Sequence, residues 1–596
     1  MGDAAAGVRR CGVITREALA ARLDDPTFVS PQQRAAVVAS GNFFLLARPG
    51  SGKTRTVGVR LAWTAVSTER RVATTSYTNT AIKEIRAMVR DIGVALGPAH
   101  FTGTLHDFLL TYVLRPFAVP VLGWARPFRL VGDTYPWEDI VFRGNNHLRL
   151  SCGDFHFLAD GSLTARGAPL SMTRAEATSE GQAKAARLKQ RYAQQGLISL
   201  SDAMYYAAEI LERSPEARAA VAKRFDELIV DEAQDTSDVQ VRCLELLKAS
   251  GGLGSLVLVG DLDQSIYGFQ GAAPELCNQL VQACGLESLP LTENYRSSQA
   301  ICNVTCQFCG RTEADRAVGP NRDCDFPVEV FLYPRATPAT ALEMLTSRLG
   351  ALGIAQEEVV VLARQRVLVR ALNGYAPTDL GLGAERLGRL AAAMTAGRTV
   401  DRAIVRGVEE LLAELAWNVS VGEVTEDQRW QLRLAAMELA TRLPAPDGDL
   451  GGWVDSARAV TKEVALNLAS PLAVQTHHRV RAPRGAGQLS AREAFGLANV
   501  GRLVARTVHD VKGESHPAVL LVAGRSTRGQ GVRAQAELWA TGLSGGEVDD
   551  TDREELRIAY VALTRAERYC AVALPDDCSD ARLSAFTAAG FRLLGS

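Results

Sequence analysis

Phe43-Phe44-Leu45-Leu46-Ala47 runs directly into Arg48-Pro49-Gly50-Ser51-Gly52-Lys53-Thr54, and then into a helical pattern, TRTVGVRLAW (54–63). A short unbroken apolar run closed by glycines reads as a buried strand. Strand, glycine turn and helix in that order admit few folds. Glycines let the backbone point its N–H groups inward, and the helix N-terminus adds partial positive charge, so the turn is a cradle for phosphate. In such a loop Gly50, Ser51 and Gly52 line the phosphates, with Arg55 just beyond. Lys53 reaches the β- and γ-phosphates and Thr54 holds Mg²⁺. Ala47 stands where the strict pattern has glycine, a minor departure because a small residue serves there. ATP and Mg²⁺ are the expected cofactors.

The same unit recurs. RVATT (71–75) runs into SYTN, LIV (228–230) into DEAQD, and SLVLVG (255–260) into DLDQ. These read as parallel strands buried on both faces, with chemistry at their carboxyl ends. A second set follows at VVVLAR (359–364), AVLLVAG (518–524) and YCAVAL (569–574). Two α/β units in tandem are the simplest account. Residues 109–204 are mixed, with a hairpin expected at 152–167. Residues 376–494 read as helical, interrupted by LPAPDGDLGG (443–452), and HHRVRAPRGAGQ (477–488) reads as an exposed connector.

Asp231 and Glu232 close the LIV run. Asp231 is placed to hold Mg²⁺ and Glu232 to polarise an attacking water, as phosphoryl transfer requires. An isolated Asp-Glu pair is usually solvated. Its place after a buried strand and downstream of the glycine loop gives this one meaning.

Composition bounds the rest. The chain has 596 residues, 47% hydrophobic, enough for several cores. Its net charge of −1 argues neither for nor against nucleic acid. No apolar stretch of about 18 residues is read from the sequence and no secretory core opens it, so no membrane and a cytoplasmic location are expected. Of 11 cysteines, Cys302, Cys306 and Cys309 fall on one helical face and, with Cys324, fit no standard zinc spacing. They read as small buried hydrophobes.

DEAQD (231–235), GDLDQSIYGFQGA (260–272), ENYRSS (293–298), TVHDVKGE (507–514) and AYVALTRA (559–566) occur in that order. Together they resemble motifs II to VI of the UvrD/Rep-like superfamily-1 DNA helicases. SYTNTAIKEI (76–85) and GTLHDF (103–108) resemble motifs Ia and Ib, and PQQRAAV (31–37) the adenine-reading segment. The likeness spans both α/β units, about residues 29–575, and not the insertions.

What the resemblance implies is an α/β fold of two tandem RecA-like P-loop domains, each with a mostly helical insertion. The first core would be 1–108 with 205–290, and its insertion 109–204. The second core would be 291–375 with 495–596, and its insertion 376–494. Gln33 would read adenine, Tyr295 would stack on it, and Glu514 would meet the ribose. Gln264 would sense the γ-phosphate. Arg296 and Arg565 would reach it from the second core. Tyr77, His106, Tyr267 and Phe269 would line a single-strand DNA track, with Thr78, Asn79, Thr104 and His509 on phosphates or sugars. Aromatic faces stack on bases without choosing sequence, at about 1–3 kcal/mol per base.

Four departures stand out. Gln270 replaces the usual arginine of motif III, Thr80 the usual lysine of motif Ia, and Arg48 is unusual in the loop. In motif V the glutamate directly follows Lys512-Gly513. The implied activity is an ATP-dependent 3′→5′ translocase and helicase acting on single-stranded and duplex DNA. The alternative is a DNA-stimulated ATPase sensor that switches a separate nuclease subunit. The chain ends about thirty residues after Arg565, with no fused nuclease expected. Small proteins of this kind are also similar to helicase subunits of repair or Gabija-type phage-defence systems. A third reading is an ATP-binding scaffold indifferent to DNA.

Overall fold

The computed structural model describes residues 14–67, 70–131, 137–141, 149–165, 174–266, 274–373, 382–397, 400, 402–417, 424, 426–468, 480–482, 489–495, 497, 503–526 and 533–594. The chain groups into two compact units. The first holds Met1–Val131, Glu138–Asp325 and Leu556–Tyr560; the second holds Gly132–Trp137, Phe326–Glu555 and Val561–Ser596.

Six parallel strands form the centre of the first unit: β1 (Phe43–Ala47), β2 (Val72–Ser76), β3 (Phe101–Thr104), β4 (Glu227–Asp231), β5 (Ser255–Gly260) and β6 (Glu287–Leu291). Their order across the sheet is β6-β1-β5-β4-β2-β3. All five pairings are parallel, and the register sets Leu46 beside Gly260 and Asp231 beside Val259. Strands β2, β4 and β5 are buried along their whole length. That is why they read as unbroken apolar or Thr-rich runs rather than alternating ones. The two faces are covered separately: Phe44, Leu228, Leu256 and Leu258 join one cluster, and Phe43, Leu45, Ile229 and Val257 the other.

The second unit repeats the design with β7 (Val328–Tyr333), β8 (Val359–Ala363), β9 (Ala505–Thr507), β10 (His516–Val522), β11 (Ala566–Pro575) and β12 (Arg592–Leu593). The order is β9-β8-β10-β11-β7-β12, again all parallel. The expected strands at 359–364, 518–524 and 569–574 are present within a few residues. Strands β3, β6, β7, β9 and β12 carry no such pattern in the sequence; they are short, or broken by Gly, Pro or Glu.

The helical reading of 376–494 holds for its described part. Helices Leu382–Thr395, Arg402–Trp417, Glu426–Arg442 and Leu450–Leu466 share a core around Leu387, Leu411, Leu439 and Trp453. The connector 477–488 lies mostly outside the described residues.

In its described part the first insertion joins helices, among them Arg115–Leu122 and Arg174–Gln194, to three two-stranded ladders, 129–131 with 197–199, 139–141 with 149–151, and 155–157 with 163–165. The last is the expected hairpin, turning at Asp160-Gly161, where φ is +81° at the glycine. Lys189 and Asp202 form a buried pair there, Nζ lying 2.8 Å from both carboxylate oxygens.

One further expectation is corrected. By length and composition the helical run Leu105–Leu122 is long and apolar enough to cross a membrane. Leu105, Phe108, Leu109, Val113 and Leu114 nevertheless pack into the first unit's core.

Candidate nucleotide site and its surroundings

The glycine loop leaves the carboxyl end of β1 and opens helix Lys53–Ser67. Gly50 and Gly52 have φ of +75° and +76°, the left-handed region that glycine enters without a Cβ penalty. Their neighbours demand glycine too. A Cβ on Gly50 would lie 2.5 Å from Asn294 Oδ1 and 2.9 Å from Arg296 Cβ; one on Gly52 would lie 2.5 Å from Gln33 Nε2.

Gln33 is buried on the helix Pro31–Val38, which Ser30 caps. Its Oε1 accepts from Ser30 N at 3.1 Å and its Nε2 donates to Ser51 O at 3.0 Å. In this structure, then, Gln33 braces the loop. Arg55 donates through Nε and Nη2 to Phe28 O, at 3.0 and 2.6 Å.

Lys53 Nζ lies 2.5 Å from Glu232 Oε1. Burial works against the ammonium charge, but Glu232, Asp231 and Asp235 outweigh it and raise the lysine's pKa. Glu232 has φ of +55°, the only non-glycine residue with positive φ among those described. A glutamate held in that conformation is strained, and such strain clusters at functional sites. Gln234 Nε2 donates to the other oxygen of Glu232 at 2.5 Å. Asp231, at the end of β4, accepts from Ser76 Oγ through Oδ2 at 3.2 Å. Its Oδ1 is buried with no hydrogen-bond partner. Burial, opposed by Lys53 and reinforced by Glu232, pushes this carboxyl up to about 6. A buried, unpartnered carboxylate oxygen beside an ammonium fits a cation-binding role. Thr54, the other expected Mg²⁺ ligand, follows Lys53 in the helix's first turn.

Gln234 and Asp261 had no assigned role in the sequence reading. Gln234 Oε1 accepts from Asp261 N at 3.1 Å. Asp261 Oδ2 in turn accepts from Gln264 Nε2 at 2.9 Å. Burial and the adjacent Asp263 push Asp261 up to about 6. The acidic pair at β4 is thus wired to Gln264 after β5. Both residues stood inside quoted motifs; only their buried partners reveal what they do.

Tyr295 and Arg296 were expected in the second core, yet their contacts place them in the first unit. The reason is local. Asn294 Nδ2 donates to Pro49 O at 3.1 Å, and Tyr295 N donates to Gly50 O at 2.8 Å. Asn294, also unassigned from sequence, fastens this segment to the loop. Tyr295 is partly exposed, its OH donating to Glu293 at 3.0 Å.

Several DNA-track candidates share the same carboxyl edge. Tyr77, Thr78 and Asn79 follow β2; Thr104 and His106 follow β3, its neighbour. Thr78 caps helix Asn79–Ile92, accepting from Ala81 N. Thr104 caps the next helix in a reciprocal box with Asp107. His106 sits 3.4 Å from Gln240 Nε2, and burial lowers its pKa. Tyr267, Phe269 and Gln270 lie outside the described residues, as does most of the loop 524–533.

Arg565, His509 and Glu514 belong to the second unit. Arg565 is buried, its Nε donating to Val561 O at 2.9 Å. Glu514 forms a two-bond pair with Arg506, at 2.7 and 2.8 Å, and meets His516 Nε2 at 3.0 Å. Hydrogen bonding from Arg506 holds its carboxyl below the usual range. Cys302 and Cys306 are buried, and burial raises their thiol pKa values.

A glycine-rich loop between a central parallel strand and a helix, with its lysine paired to an acidic residue on a nearby strand end, defines a P-loop α/β architecture. Residues 29–131 and 160–284 match the UvrD/REP helicase N-terminal domain. Over these residues, less than half of the chain, it is similar to the UvrD/Rep helicases. It is 38% identical over 155 residues to the exonuclease/helicase protein RexA of Streptococcus pneumoniae, covering 25% of this chain and 12% of that protein. It is 28% identical over 300 residues to DNA helicase II of Haemophilus influenzae and 27% over 301 residues to that of Escherichia coli, covering 46% of this chain and 39% of each. The chain thus matches well under two thirds of the length of these relatives.

Proposed function

We propose that this protein hydrolyses ATP to move along single-stranded DNA and unwind duplex, in the 3′→5′ direction, with each six-stranded sheet serving as one RecA-like core. The observation that carries the reading is the Lys53–Glu232 pair beside the unpartnered Asp231 Oδ1. Thr54 and Asp231 would hold Mg²⁺, which when bound supplies charge neutralisation at the phosphates. A triphosphate would take over Lys53 from Glu232. Glu232, still held by Gln234, would then orient water. Gln264, Arg296 and Arg565 would face the γ-phosphate, and Gln33, Tyr295 and Glu514 the nucleoside. An arginine at that phosphate is worth about 10³–10⁵ in rate. Tyr77, Thr78, Asn79, Thr104 and His106, with Tyr267, Phe269 and His509, would form the DNA track.

The experiment is steady-state ATP hydrolysis with and without a single-stranded oligonucleotide over a salt series. Stimulation that fades as salt rises is expected of a motor on a phosphate track. Hydrolysis indifferent to DNA would withdraw the translocase reading and leave the nucleotide site.

A second reading is a DNA-stimulated ATPase sensor that switches on a separate nuclease protein while unwinding weakly alone. Gln270, a neutral amide where these proteins usually carry arginine, favours it. Gln270→Arg is then expected to raise strand separation per ATP consumed; a fall would count against this reading.

A further inference from the structure

Arg48 is unusual in a glycine loop of this pattern, and the proposed hydrolysis assigns it nothing. Its Nη1 lies 2.5 Å from Asp315 Oδ1. Asp315 is 6% exposed, so its charge depends on protein partners. The same oxygen lies 3.4 Å from Nη1 of Arg311. Arg311 Nη2 donates to Tyr560 OH at 3.0 Å, and its guanidinium sits 5.7 Å from that ring's centroid. Tyr560, fully buried, donates to Asp261 Oδ2 at 3.3 Å, the oxygen that also accepts from Gln264. From Asp261 the path returns through Gln234 and Glu232 to Lys53. Every member belongs to the first unit. The loop is therefore gripped at both ends by one buried polar circuit.

Charge explains why Arg48 matters to that circuit. Asp315 is shared by two guanidinium groups, while Arg311 also faces Asp263 Oδ2 at 3.8 Å. Without Arg48, Asp315 would have Arg311 as its one cation and would draw it away from Tyr560 and Asp263. Buried networks are sensitive to such loss because no water replaces the missing partner.

We propose that Arg48 is a positioning residue: by neutralising Asp315 it leaves Arg311 free to orient Tyr560 and Asp261, and so sets Gln264 at the phosphate end of the site. This rests on the ATP-hydrolysis reading above. The test compares Arg48→Ala, Arg48→Lys, Tyr560→Phe and the Arg48→Ala/Tyr560→Phe pair by ATPase kinetics and by titration with mant-ADP. In Arg48→Ala, kcat is expected to fall about tenfold while KM and mant-ADP affinity stay within about twofold. Arg48→Lys should recover most of the rate. The double variant should be no slower than the worse single, because both act on one path. A kcat within about twofold of wild type in Arg48→Ala, fully additive losses, or mant-ADP binding lost in step with kcat would each overturn the proposal. If Arg48→Ala fails to fold, Arg48→Gln replaces it with the same expected split, and Asp315→Asn/Arg48→Gln, with no carboxylate left to draw Arg311 away, should recover most of the rate; a double variant as slow as Arg48→Gln would overturn the proposal. Lys53→Ala separates the two claims: if it still binds mant-ADP and hydrolyses ATP normally, the site reading itself fails. If it loses both while Arg48→Ala remains fast, only the positioning role falls.

Discussion

Gly50 and Asn294 are in contact across 244 residues of sequence: a Cβ on Gly50 would lie 2.5 Å from Asn294 Oδ1. That oxygen is already committed, accepting from the N–H groups of Arg296 and Ser297 at 2.8 Å each. It cannot retreat without releasing both. Gly50→Ala should therefore displace the 294–297 turn and strain a left-handed residue at once. The expected result is a loss of ATPase of at least about tenfold, with stability lowered by roughly 1–3 kcal/mol. Asn294→Ala/Gly50→Ala should behave better than Gly50→Ala alone in kcat and urea midpoint; no relief would sink the steric account.

The Lys53–Glu232 pair predicts an asymmetry. Lys53→Ala removes the cation proposed for the phosphates and leaves Glu232 beside Asp231 without it, so both hydrolysis and mant-ADP binding should fail. Glu232→Gln keeps the side chain's shape and one acceptor oxygen, to which Gln234 Nε2 can still donate, but it lacks the charge that pairs with Lys53 and polarises water. It should bind mant-ADP nearly as wild type while kcat falls by about 10²-fold or more, the range of general-base loss. Equal binding defects in the two variants would contradict the division of roles.

Asp231 sets a pH dependence of stability. Its carboxyl rises from 3.8 to about 6 on folding, chiefly by burial. Between those values the folded protein binds more protons than the unfolded chain, so this group's contribution makes stability fall as pH rises through about 4 to 6. Asp231→Asn removes the titration. It should melt above wild type at pH 7.5, by roughly 2–4 °C per kcal/mol relieved, with the gap narrowing toward pH 5. Melting temperatures across pH 5–7.5 that run parallel would refute this. Activity should be lost in the same variant at every pH.

Arg60 and Glu227 form a buried two-bond pair at 2.9 and 2.8 Å. Arg60 also donates to the carbonyls of Ala36, Val37 and Ala39, closing the helix that carries Gln33. Glu227 begins the strand that ends at Asp231. Glu227→Leu or Arg60→Met alone should cost about 3–5 kcal/mol by stranding a charge, and the double variant should recover much of that. Urea unfolding monitored at each variant's midpoint checks it; additive losses would mean the pair is not coupled.

The local pattern carried much of this fold. An unbroken apolar run ending in polar or glycine-rich residues marked β1, β4, β5, β8, β10 and β11, because strands buried on both faces need no alternation. Lys53, Asp231 and Glu232 were legible for the same reason: each sits at the end of such a run. β6, with Pro290 and Glu287, and the short edge strand β12 carried no such mark. The ladders of the first insertion were hidden because three-residue strands are too short to show a period.

By itself, then, the sequence determined the doubly buried strands and where the glycine loop turns, and it singled out the residues proposed for phosphate chemistry, since those follow from local periodicity and residue type. Only the tertiary structure decided which residues share a site. Asn294 fastening residues 293–298 to the loop, Gln234 joining Glu232 to Asp261, and Arg48 sharing Asp315 with Arg311 are contacts between segments far apart in the chain. No spacing rule encodes them. They arise because buried polar groups must find partners inside the protein, and the partner is whichever group the packing of the sheet and its helices brings within reach.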